Sequence, residues 1–424
     1  MRKKALVFIP ENPYPPQSGV QHRYLEIVAG LKDLGVEVVL AGSTLPGNGR
    51  WDRAAVDKLK AAVGCELKLY EATADDHRFI ERLSKFYELD YRSIPVVRRL
   101  YPLGRREPPI NSMVYSPPGK RRWFDDLIET EGADLVLMNY AYWDGLINHR
   151  KRQSVLRVID TIDLVTLSLQ RWRFLEKYFS VSPIDADSID DEVLEEDLFQ
   201  RHNFLVRPKE FRIYDQYNYT IAIAPQEAEL IRQNTRSTKV LYLPMTQKPV
   251  SEVNSYQGPA LMTTGPNPFN IQGYFYFIKK VLPLVLRKAP SFLVQVTGSS
   301  SERVQAVEGV ELIGFVPDLQ SVYQTARFLV CPIFGGTGQQ VKIVEAMAHG
   351  LAVVALRAAA ERSPLRHGEN GLVADNAFEF AECVLELWKD AELCRRLGNA
   401  ARETIAQEFS NTRLTEGLSE IVCS

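Results

Sequence analysis

The sequence predicts an α/β protein with two domains, each built on a doubly wound parallel sheet. Short apolar segments alternate with amphipathic helical segments along most of the chain, as expected for successive β-α units. The alternation is interrupted by the polar, proline- and glycine-containing stretch 245–259, which we interpret as an interdomain linker. The length of 424 residues also exceeds that of one ordinary domain.

The first half opens with a strand–loop–helix–strand unit. Residues 4–10 are an apolar strand, residues 21–35 have helical periodicity, and residues 36–42 are a second strand. Further short apolar runs predict strands over 134–139, 155–160, 220–224 and 239–244. The aromatic, acidic segment 170–217 is predicted to be a mostly helical insertion in an N-terminal domain of about 1–245.

The same alternation resumes after the linker and defines a C-terminal domain of about 258–405. Its predicted strands are 260–265, 292–298, 310–316, 328–333 and 352–356. Helices are predicted over 273–289, 319–327 and most of 376–422.

Composition predicts a soluble cytoplasmic protein. The net charge of −2 gives no general attraction to nucleic acid, and no apolar run has the ~18 residues that a membrane span needs. The five cysteines are widely spaced and form no CxxC pair, which favours a reducing compartment. The basic start MRKK leads into an apolar run that ends at Glu11 and prolines, so we expect a first strand and not a signal peptide.

The stretch 335-GGTGQQVKIVEAMAHG-350 carries the clearest chemistry. Its first glycines allow positive φ and close approach of a ligand, and a helix follows with Gly350 at its C-cap. Free amides at such a helix start form an anion site. Lys342 and Glu345 share one helix face, where an ammonium suits a phosphate and a carboxylate suits a sugar diol. A tight turn followed by a solvated ion pair is the alternative.

Two other strand-to-helix loops, at Ser18-Gly19-Val20 and 265-GPNPFNIQG-273, have similar positions. In open α/β sheets, ligands bind at the carboxyl ends of the strands. Neither loop is a Walker A motif, because no GK[ST] occurs, and neither is a clean GxGxxG.

Taken together, these segments resemble the family-4-type glycosyltransferases of the GT-B fold. The segment 335-GGTGQQVKIVEAMAHGLAVVA-355 is similar to the family signature G-[ST]-G-x-x-x-K-x-x-E-A-M-A-x-G-x-P-V-V. Supporting pieces are 12-NPYPPQSGVQHR-23, 260-ALMTTGPNPFNIQGYFYFIKKVLP-283, 313-IGFVPDLQSVYQTARFLVCP-332 and 368-GENGLVADN-376. The resemblance implies two Rossmann-like domains facing across a cleft, with the final helix, 406–424, returning to the N-terminal domain.

The resemblance also implies an activity, namely hexosyl transfer from a nucleotide-diphosphate sugar to a glycan, a lipid-linked glycan or a small molecule. It implies retention of configuration and no metal or other cofactor. Glu345 matches the residue that binds the donor ribose, and Lys342 matches a basic residue beside the diphosphate. The amides of Thr337, Gly338 and Gln339 match the phosphate-cradling turn, Gly19 approaches the donor phosphate across the cleft, and the backbone of Phe315 and Val316 holds the base.

Some positions depart from the family pattern. Thr337 replaces the first of two glutamates, Gln340 replaces an arginine, and Ala352 replaces a proline. A Gly-Arg…Lys-Gly pair that grips phosphates in many relatives is also missing. Two alternatives therefore stay open: a GT-B sugar-nucleotide epimerase, and a non-catalytic nucleotide-sugar-binding partner subunit.

The acceptor half offers three candidate catalytic residues beside Lys342. Asp160 and Asp163 lie at the end of a predicted strand, where the resemblance places the sugar and the acceptor; a turn or N-cap role is the alternative for each. His22 opens the helix behind Gly19 and could reach the cleft, although a lone histidine is more often structural.

Two charged segments complete the candidates. Residues 91–123 hold eight basic residues among aromatic ones, which suggests peripheral contact with an anionic membrane or a lipid-linked acceptor. A solvated loop that balances the acidic cluster 185–197 is the more conventional interpretation. The pair Asp185 and Asp187 has a DxD pattern, but its acidic surroundings favour a solvated turn over a metal site.

Overall fold

Seven parallel strands form the N-terminal sheet in this computed structural model, which describes residues 2–16, 18–45, 51–88, 110, 113–179, 183–251 and 254–424. The strands are β1 Lys4–Phe8, β2 Glu37–Ser43, β3 Glu66–Tyr70, β4 Leu135–Asn139, β5 Leu156–Asp160, β6 Tyr219–Ala222 and β7 Lys239–Tyr242. Their order in the sheet is β3-β2-β1-β4-β5-β6-β7. The sheet therefore reverses its winding between β1 and β4, where Leu6 pairs with both Val39 and Val136.

Helices cover both faces of this sheet. They are α1 Gly19–Asp33, α2 Arg53–Val63, α3 Ala74–Glu88, α4 Pro118–Thr130, α5 Val165–Glu176, α6 Leu198–Arg201, α7 Pro208–Tyr214 and α8 Pro225–Asn234. Because the central strands are covered on both sides, they are almost continuously apolar, and every residue of β4 is buried.

The C-terminal sheet has the same architecture. Its strands are β8 Ala260–Thr263, β9 Val294–Thr297, β10 Val310–Gly314, β11 Leu329–Cys331, β12 Val353–Leu356 and β13 Leu372–Ala374, in the order β10-β9-β8-β11-β12-β13. Its helices are α9 Pro268–Tyr276, α10 Leu282–Lys288, α11 Gln320–Thr325, α12 Val341–Ala348, α13 Arg357–Ala360, α14 Ala377–Lys389 and α15 Ala391–Glu408. A π-helical turn, Phe277–Val281, joins α9 to α10. The predicted α/β class is thus confirmed.

The segment 170–217 is only partly helical, and its first part, up to Phe199, lies against the C-terminal domain, whereas α7 packs in the core of the N-terminal domain. Apolar side chains of this segment join the core of that domain, namely Leu175, Phe179, Val193, Leu194, Leu198 and Phe199. Asp191 and Glu195 form ion pairs of 2.8 and 2.6 Å with Lys279 and Lys280. Lys279 and Lys280 of the C-terminal domain therefore neutralise these two acidic residues. The sequence had suggested that the basic segment 91–123 balances the charge of the acidic cluster.

The last helix, α16 Asn411–Val422, lies on the N-terminal domain. Leu414, Leu418 and Ile421 share a core cluster with α1, and a Cβ placed on Gly30 of α1 would come 2.7 Å from Leu418 Cδ1. The two domains are thus joined by the linker, by the segment 170–217 and by this helix. Within the described residues, no helix is both long enough and apolar enough to cross a membrane.

Candidate functional site

A glycine turn, residues 335–338, lies after β11, close to the point where the C-terminal sheet reverses its winding between β8 and β11. Gly336 and Gly338 have φ of 85° and 70°, in the left-handed region that favours glycine. Gly335 does not share this geometry. A Cβ at Gly335 would come 2.4 Å from Phe269 Cδ1. Close packing, and not a positive φ, is therefore the reason for glycine at this position.

Helix α12 begins at Val341 and ends at Ala348, within the predicted helical stretch, and Gly350 has the positive φ of a terminating glycine. Lys342 lies in its first turn, where the ammonium donates a hydrogen bond to the side-chain oxygen of Asn270. Burial lowers the pKa of Lys342 to about 8, partly offset by Cys331 and Glu345. The helix therefore holds a cation that a nearby anion would stabilise.

Glu345 lies one turn further along the same helix. The hydroxyl of Tyr323 donates to Glu345 Oε2 over 3.3 Å, and the Tyr323 ring stacks on His349 with centroids 4.5 Å apart. Burial raises the pKa of Glu345, opposed by the Tyr323 hydrogen bond and by the charge of Lys342. The carboxylate is thus oriented by a partner that sequence reasoning did not identify.

The first residues of two helices meet at the domain boundary. A Cβ at Gly19, the first residue of α1, would lie 3.5 Å from Val341 Cγ2, on the first residue of α12, and 3.2 Å from Met245 Cε. Each helix start carries roughly half a unit of positive charge. The structure therefore brings Gly19 to the helix that carries Lys342 and Glu345.

Two carboxylates of the N-terminal domain contact the glycine turn. The Thr337 hydroxyl donates to Asp163 Oδ1, and the Gly338 amide donates to Glu227 Oε1 over 2.7 Å. Burial raises the pKa of both carboxyls, and the neighbouring Asp163 helps to raise that of Glu227 to about 8. Asp163 follows Ile162, whose φ of 56° is rare for a β-branched residue, so this loop is strained where it meets the turn.

Two arginines bind the carbonyl groups of the same turn. Arg362 donates to Gly335 O over 2.6 Å and to Thr337 O over 3.2 Å. Arg171, from α5, donates to Gly336 O over 2.7 Å and stacks on Phe199. Burial lowers the pKa of both guanidinium groups, and repulsion by Arg362 contributes to the value of about 10 for Arg171. The carboxylates of Asp163, beside both arginines, and of Glu227, beside Arg362, offset part of this effect.

Gln339 and Gln340 complete the turn. Gln339 is buried, and its Oε1 accepts from the Met245 amide over 2.9 Å, which ties the turn to the start of the linker. The Gln340 amide donates to Arg362 O over 3.0 Å, and Gln340 precedes α12 without a side-chain cap. Phe315 and Val316 follow edge strand β10, and the Phe315 ring is 71% exposed. That their backbone holds the base stays a prediction.

Asp160 is not brought to the turn. Its Oδ2 accepts from Arg23 Nε over 2.8 Å, both side chains are fully buried, and Arg23 also donates to Leu243 O and Pro244 O. The pair joins β5, α1 and the end of β7, which is a structural arrangement. His22 is exposed in the first turn of α1. Of the three acceptor-half candidates, the structure therefore brings only Asp163 to the glycine turn.

Most of the basic segment 91–123 lies outside the described residues. Within its described part, Arg121 and Arg122 are exposed. Lys120 is fully buried: its ammonium donates to Leu45 O over 2.9 Å and lies 4.3 Å from the centre of the Trp143 ring. Lys120 is therefore not part of a basic surface, which corrects the interpretation from sequence.

The acidic pair Asp185 and Asp187 forms a local turn, in which the Asp187 amide donates to Asp185 Oδ1 over 3.0 Å. Among the described residues, no group of three or more His, Cys, Asp or Glu side chains is placed to hold a metal ion. That the chemistry needs no metal stays a prediction.

The fold is that of GT-B glycosyltransferases, and part of the C-terminal domain matches a known family model. Residues 258–390 match the model of the family described as "Glycosyl transferases group 1", which confirms the resemblance read from the sequence. The chain is also 27% identical over 191 residues to the putative glycosyltransferase EpsD of Bacillus subtilis, across 42% of this chain and 49% of EpsD. The chain spans about half or less of the curated relatives it matches.

Solved structures agree with this fold along the whole chain. TarM of S. aureus superposes with a TM-score of 0.63 at 11% identity, covering 100% of this chain and 99% of TarM. Anabaena HepE, solved in complex with UDP and glucose, superposes with a TM-score of 0.57 at 13% identity, covering 100% of both chains. At these identities the likeness concerns the fold alone.

Proposed function

We propose that the protein is a glycosyltransferase that moves a sugar from a nucleoside-diphosphate sugar to an acceptor bound by its N-terminal domain. The observation that carries this proposal is the meeting of two helix N-termini, at Gly19 and Val341, beside a glycine turn. Two positive helix ends repel each other unless an anion lies near both. A donor diphosphate supplies that anion.

Side-chain charge favours the same ligand. Lys342, Arg171 and Arg362 surround the turn, and burial lowers the pKa of all three, so each is stabilised by a bound anion. Arg171 and Arg362 supply positive charge at a site that lacks the Gly-Arg…Lys-Gly pair of many relatives. Glu345, held by Tyr323, accepts hydrogen bonds from the two ribose hydroxyls in this proposal.

In this proposal, Glu227 occupies the position that one phosphate oxygen of the donor takes. Its carboxylate accepts the Gly338 amide, which the family resemblance assigns to the diphosphate. We propose that the donor displaces Glu227 from this amide when it binds. Because its raised pKa of about 8 leaves Glu227 mostly protonated at pH 7, the exchange replaces its hydrogen bond with a charge-assisted bond to a phosphate oxygen.

In the transfer step, the bond from the sugar C1 to the β-phosphate oxygen breaks, and a bond from C1 to the acceptor oxygen forms. The acceptor hydroxyl loses its proton to the released diphosphate or to water. The helix N-termini and Lys342 stabilise the charge that develops on the β-phosphate, which is the largest contribution such a site makes. Retention of configuration and independence of metal ions are part of this proposal.

Incubation with single donors tests the proposal and separates it from its alternatives. UDP-glucose and UDP-N-acetylglucosamine are the first donors to use, because HepE was solved with UDP and glucose and TarM with UDP and α-GlcNAc-glycerol. GDP-mannose and dTDP-glucose extend the panel. If the protein is a transferase, oligosaccharide acceptors should increase the release of nucleoside diphosphate. An increase that persists in the presence of EDTA supports a metal-independent transferase.

The other outcomes have distinct meanings. An epimerised sugar formed from donor alone indicates an epimerase. Donor binding without turnover, with acceptors of every class, indicates a non-catalytic partner subunit. Failure of every nucleotide sugar to bind contradicts the proposal altogether.

A further inference from the structure

A strap of the chain, residues 183–199, packs on the C-terminal domain although its neighbours in sequence belong to the N-terminal domain. The helices before and after it, α5 and α7, contribute to the core of the N-terminal domain. Six apolar side chains of the strap lie in the core of the C-terminal domain, each at most 6% exposed: Ile184, Ile189, Val193, Leu194, Leu198 and Phe199. The donor domain of the proposed function is therefore completed by a piece of the N-terminal sequence.

Polar contacts fix the path of the strap on the C-terminal domain. The buried side chain of Gln272 donates to Val193 O over 2.8 Å. Glu196 accepts from the amide of Ala377, the first residue of α14, over 3.1 Å. Both lysines of the π-helical turn, 277–281, form ion pairs with the strap. Such π-turns interrupt α-helices mostly at functional positions. These contacts hold the strap in one register on the domain.

Phe199, at the end of the strap, contacts the glycine turn. A Cβ at Gly335 would come 2.9 Å from Phe199 Cε2, and the Phe199 ring lies 6.1 Å from that of Phe334, the residue before the turn. The guanidinium of Arg171 lies 5.0 Å from the centre of the same ring and donates to Gly336 O over 2.7 Å. Phe199 therefore touches both the turn and the arginine that binds it.

We propose that Phe199 is a positioning residue for the donor site and that it acts through Arg171, which it holds against the glycine turn. The inference rests on the proposed function, because it concerns how the turn presents its amides to a diphosphate. Gly336 and Gly338 have positive φ, and a glycine-rich turn has many accessible conformations unless its neighbours restrict them. A turn that is fixed before the ligand arrives loses less conformational entropy on binding.

The planar peptide bond connects the arginine to the amides of the turn. Because Gly336 O and the Thr337 amide belong to one peptide plane and point in opposite directions, a hydrogen bond that fixes the carbonyl also fixes the direction of the N–H. Arg171 thus orients the Thr337 amide, and Arg362 orients the Gly338 amide in the same way through Thr337 O. The two arginines therefore set the directions of amides that the proposed function assigns to the diphosphate.

Arg171 depends on the Phe199 ring for its placement. Burial, with repulsion by Arg362, lowers the pKa of the Arg171 guanidinium to about 10. Its Nε is buried and has no hydrogen-bond partner in the part of the chain that the structure describes. A cation over an aromatic face gains an attraction that is strongest when both groups are desolvated. Leucine at position 199 would keep an apolar contact with the turn but would not attract the guanidinium.

Isothermal titration of UDP and uridine tests the inference with four proteins, namely wild type, Phe199→Leu, Arg171→Met and the double variant. We expect Phe199→Leu to weaken UDP binding about tenfold, because a misdirected amide loses one charge-assisted hydrogen bond to a phosphate. Uridine, which lacks phosphate, should bind wild type and Phe199→Leu alike. The double variant should bind UDP as Arg171→Met alone does, because a residue that acts through Arg171 has no effect once the guanidinium is gone.

Phe179→Leu is the matched control, because Phe179 is also buried in the core of the C-terminal domain but its ring stacks on Phe275. This variant should bind UDP as wild type does, and thermal unfolding midpoints compare the stability that each leucine substitution removes. Amide hydrogen exchange without ligand measures the turn directly. A peptide covering 335–340 should exchange about fivefold faster in Phe199→Leu than in wild type, and at the wild-type rate in Phe179→Leu.

The inference is overturned if Phe199→Leu binds UDP and exchanges at the turn as wild type does. It is also overturned if the losses of the two single variants add up in the double variant, or if Phe179→Leu loses as much UDP affinity as Phe199→Leu, because Phe199 would then contribute only to the stability of the core. Failure of wild type to bind UDP, GDP and dTDP would contradict the proposed function. The exchange rates alone would then decide whether Phe199 holds the turn.

Discussion

Replacing Lys342 with methionine removes the ammonium from the proposed diphosphate site and keeps a side chain of similar length. Burial holds the pKa of Lys342 at about 8 in the free protein. A bound diphosphate returns this pKa toward its ordinary value of ~10.5, so binding takes up protons. The uptake is about half a proton per ligand at pH 8, about 0.1 at pH 7 and about 0.9 at pH 9.

Isothermal titration of UDP in two buffers of different ionisation enthalpy measures this uptake. The difference in proton uptake between wild type and Lys342→Met isolates the contribution of Lys342, because other titrating groups, such as Glu227, contribute to the uptake in both proteins. Uridine, which lacks phosphate, should give no difference. Lys288→Met is the matched control, since this exposed lysine pairs with Glu382 and should behave as wild type.

The reasoning is refuted if wild type and Lys342→Met take up equal numbers of protons at pH 8. It is also refuted if uridine produces the same difference as UDP, because the ammonium would then respond to the base or the ribose. Should UDP not bind, GDP and dTDP are the next probes.

The remaining predictions concern the ribose, the core and the pH dependence of stability. Glu345→Gln should weaken UDP binding roughly ten- to hundredfold, with the fold intact and the 2′,3′-dideoxy analogue binding both proteins alike, because the carboxylate held by Tyr323 loses one acceptor oxygen. Asp160→Asn should lower the free energy of unfolding by about 3 kcal/mol or more in urea titrations, because the buried guanidinium of Arg23 loses its counter-charge; a loss below about 1 kcal/mol would contradict a structural role. Since the pKa of Glu227 is raised from 4.5 to about 8, the folded state holds this proton more tightly than the unfolded state. The free energy of unfolding should therefore fall as the pH rises from about 4.5 to about 8, and it should depend less steeply on pH in Glu227→Gln. An equal dependence on pH in both proteins would show that other groups cause it.

The strands and the helix of the glycine turn could be predicted because their signals are local. Lys342 and Glu345 lie on one helix face by spacing alone, and the apolar runs of the central strands reflect burial on both sides. The sequence analysis missed β3 and β13. In β3, charged Glu66 and Lys68 interrupt the apolar pattern, which the edge of the sheet tolerates. β13 is short and also lies at an edge.

The partners of the turn could not be predicted, because they come from distant parts of the chain. Glu227 and Arg171 reach the turn from the other domain, and no periodicity within α8 or α5 marks them out. Lys120 belongs to a basic run in the sequence, but it is buried against Trp143 and backbone carbonyls. Asp160 ends a strand, but it is bound by Arg23 from another element, which the local sequence does not indicate. A side chain's neighbours across domains are a property of tertiary packing.

A crystal structure with bound UDP is the measurement that tests the central claim most directly. We expect the diphosphate beside the starts of α1 and α12, with phosphate oxygens about 3 Å from the Gly338 amide and from Lys342 Nζ. Glu345 should contact the ribose hydroxyls, and Glu227 should no longer accept the Gly338 amide. UDP bound away from the glycine turn, or a Gly338 amide still held by Glu227 with UDP in place, would contradict it.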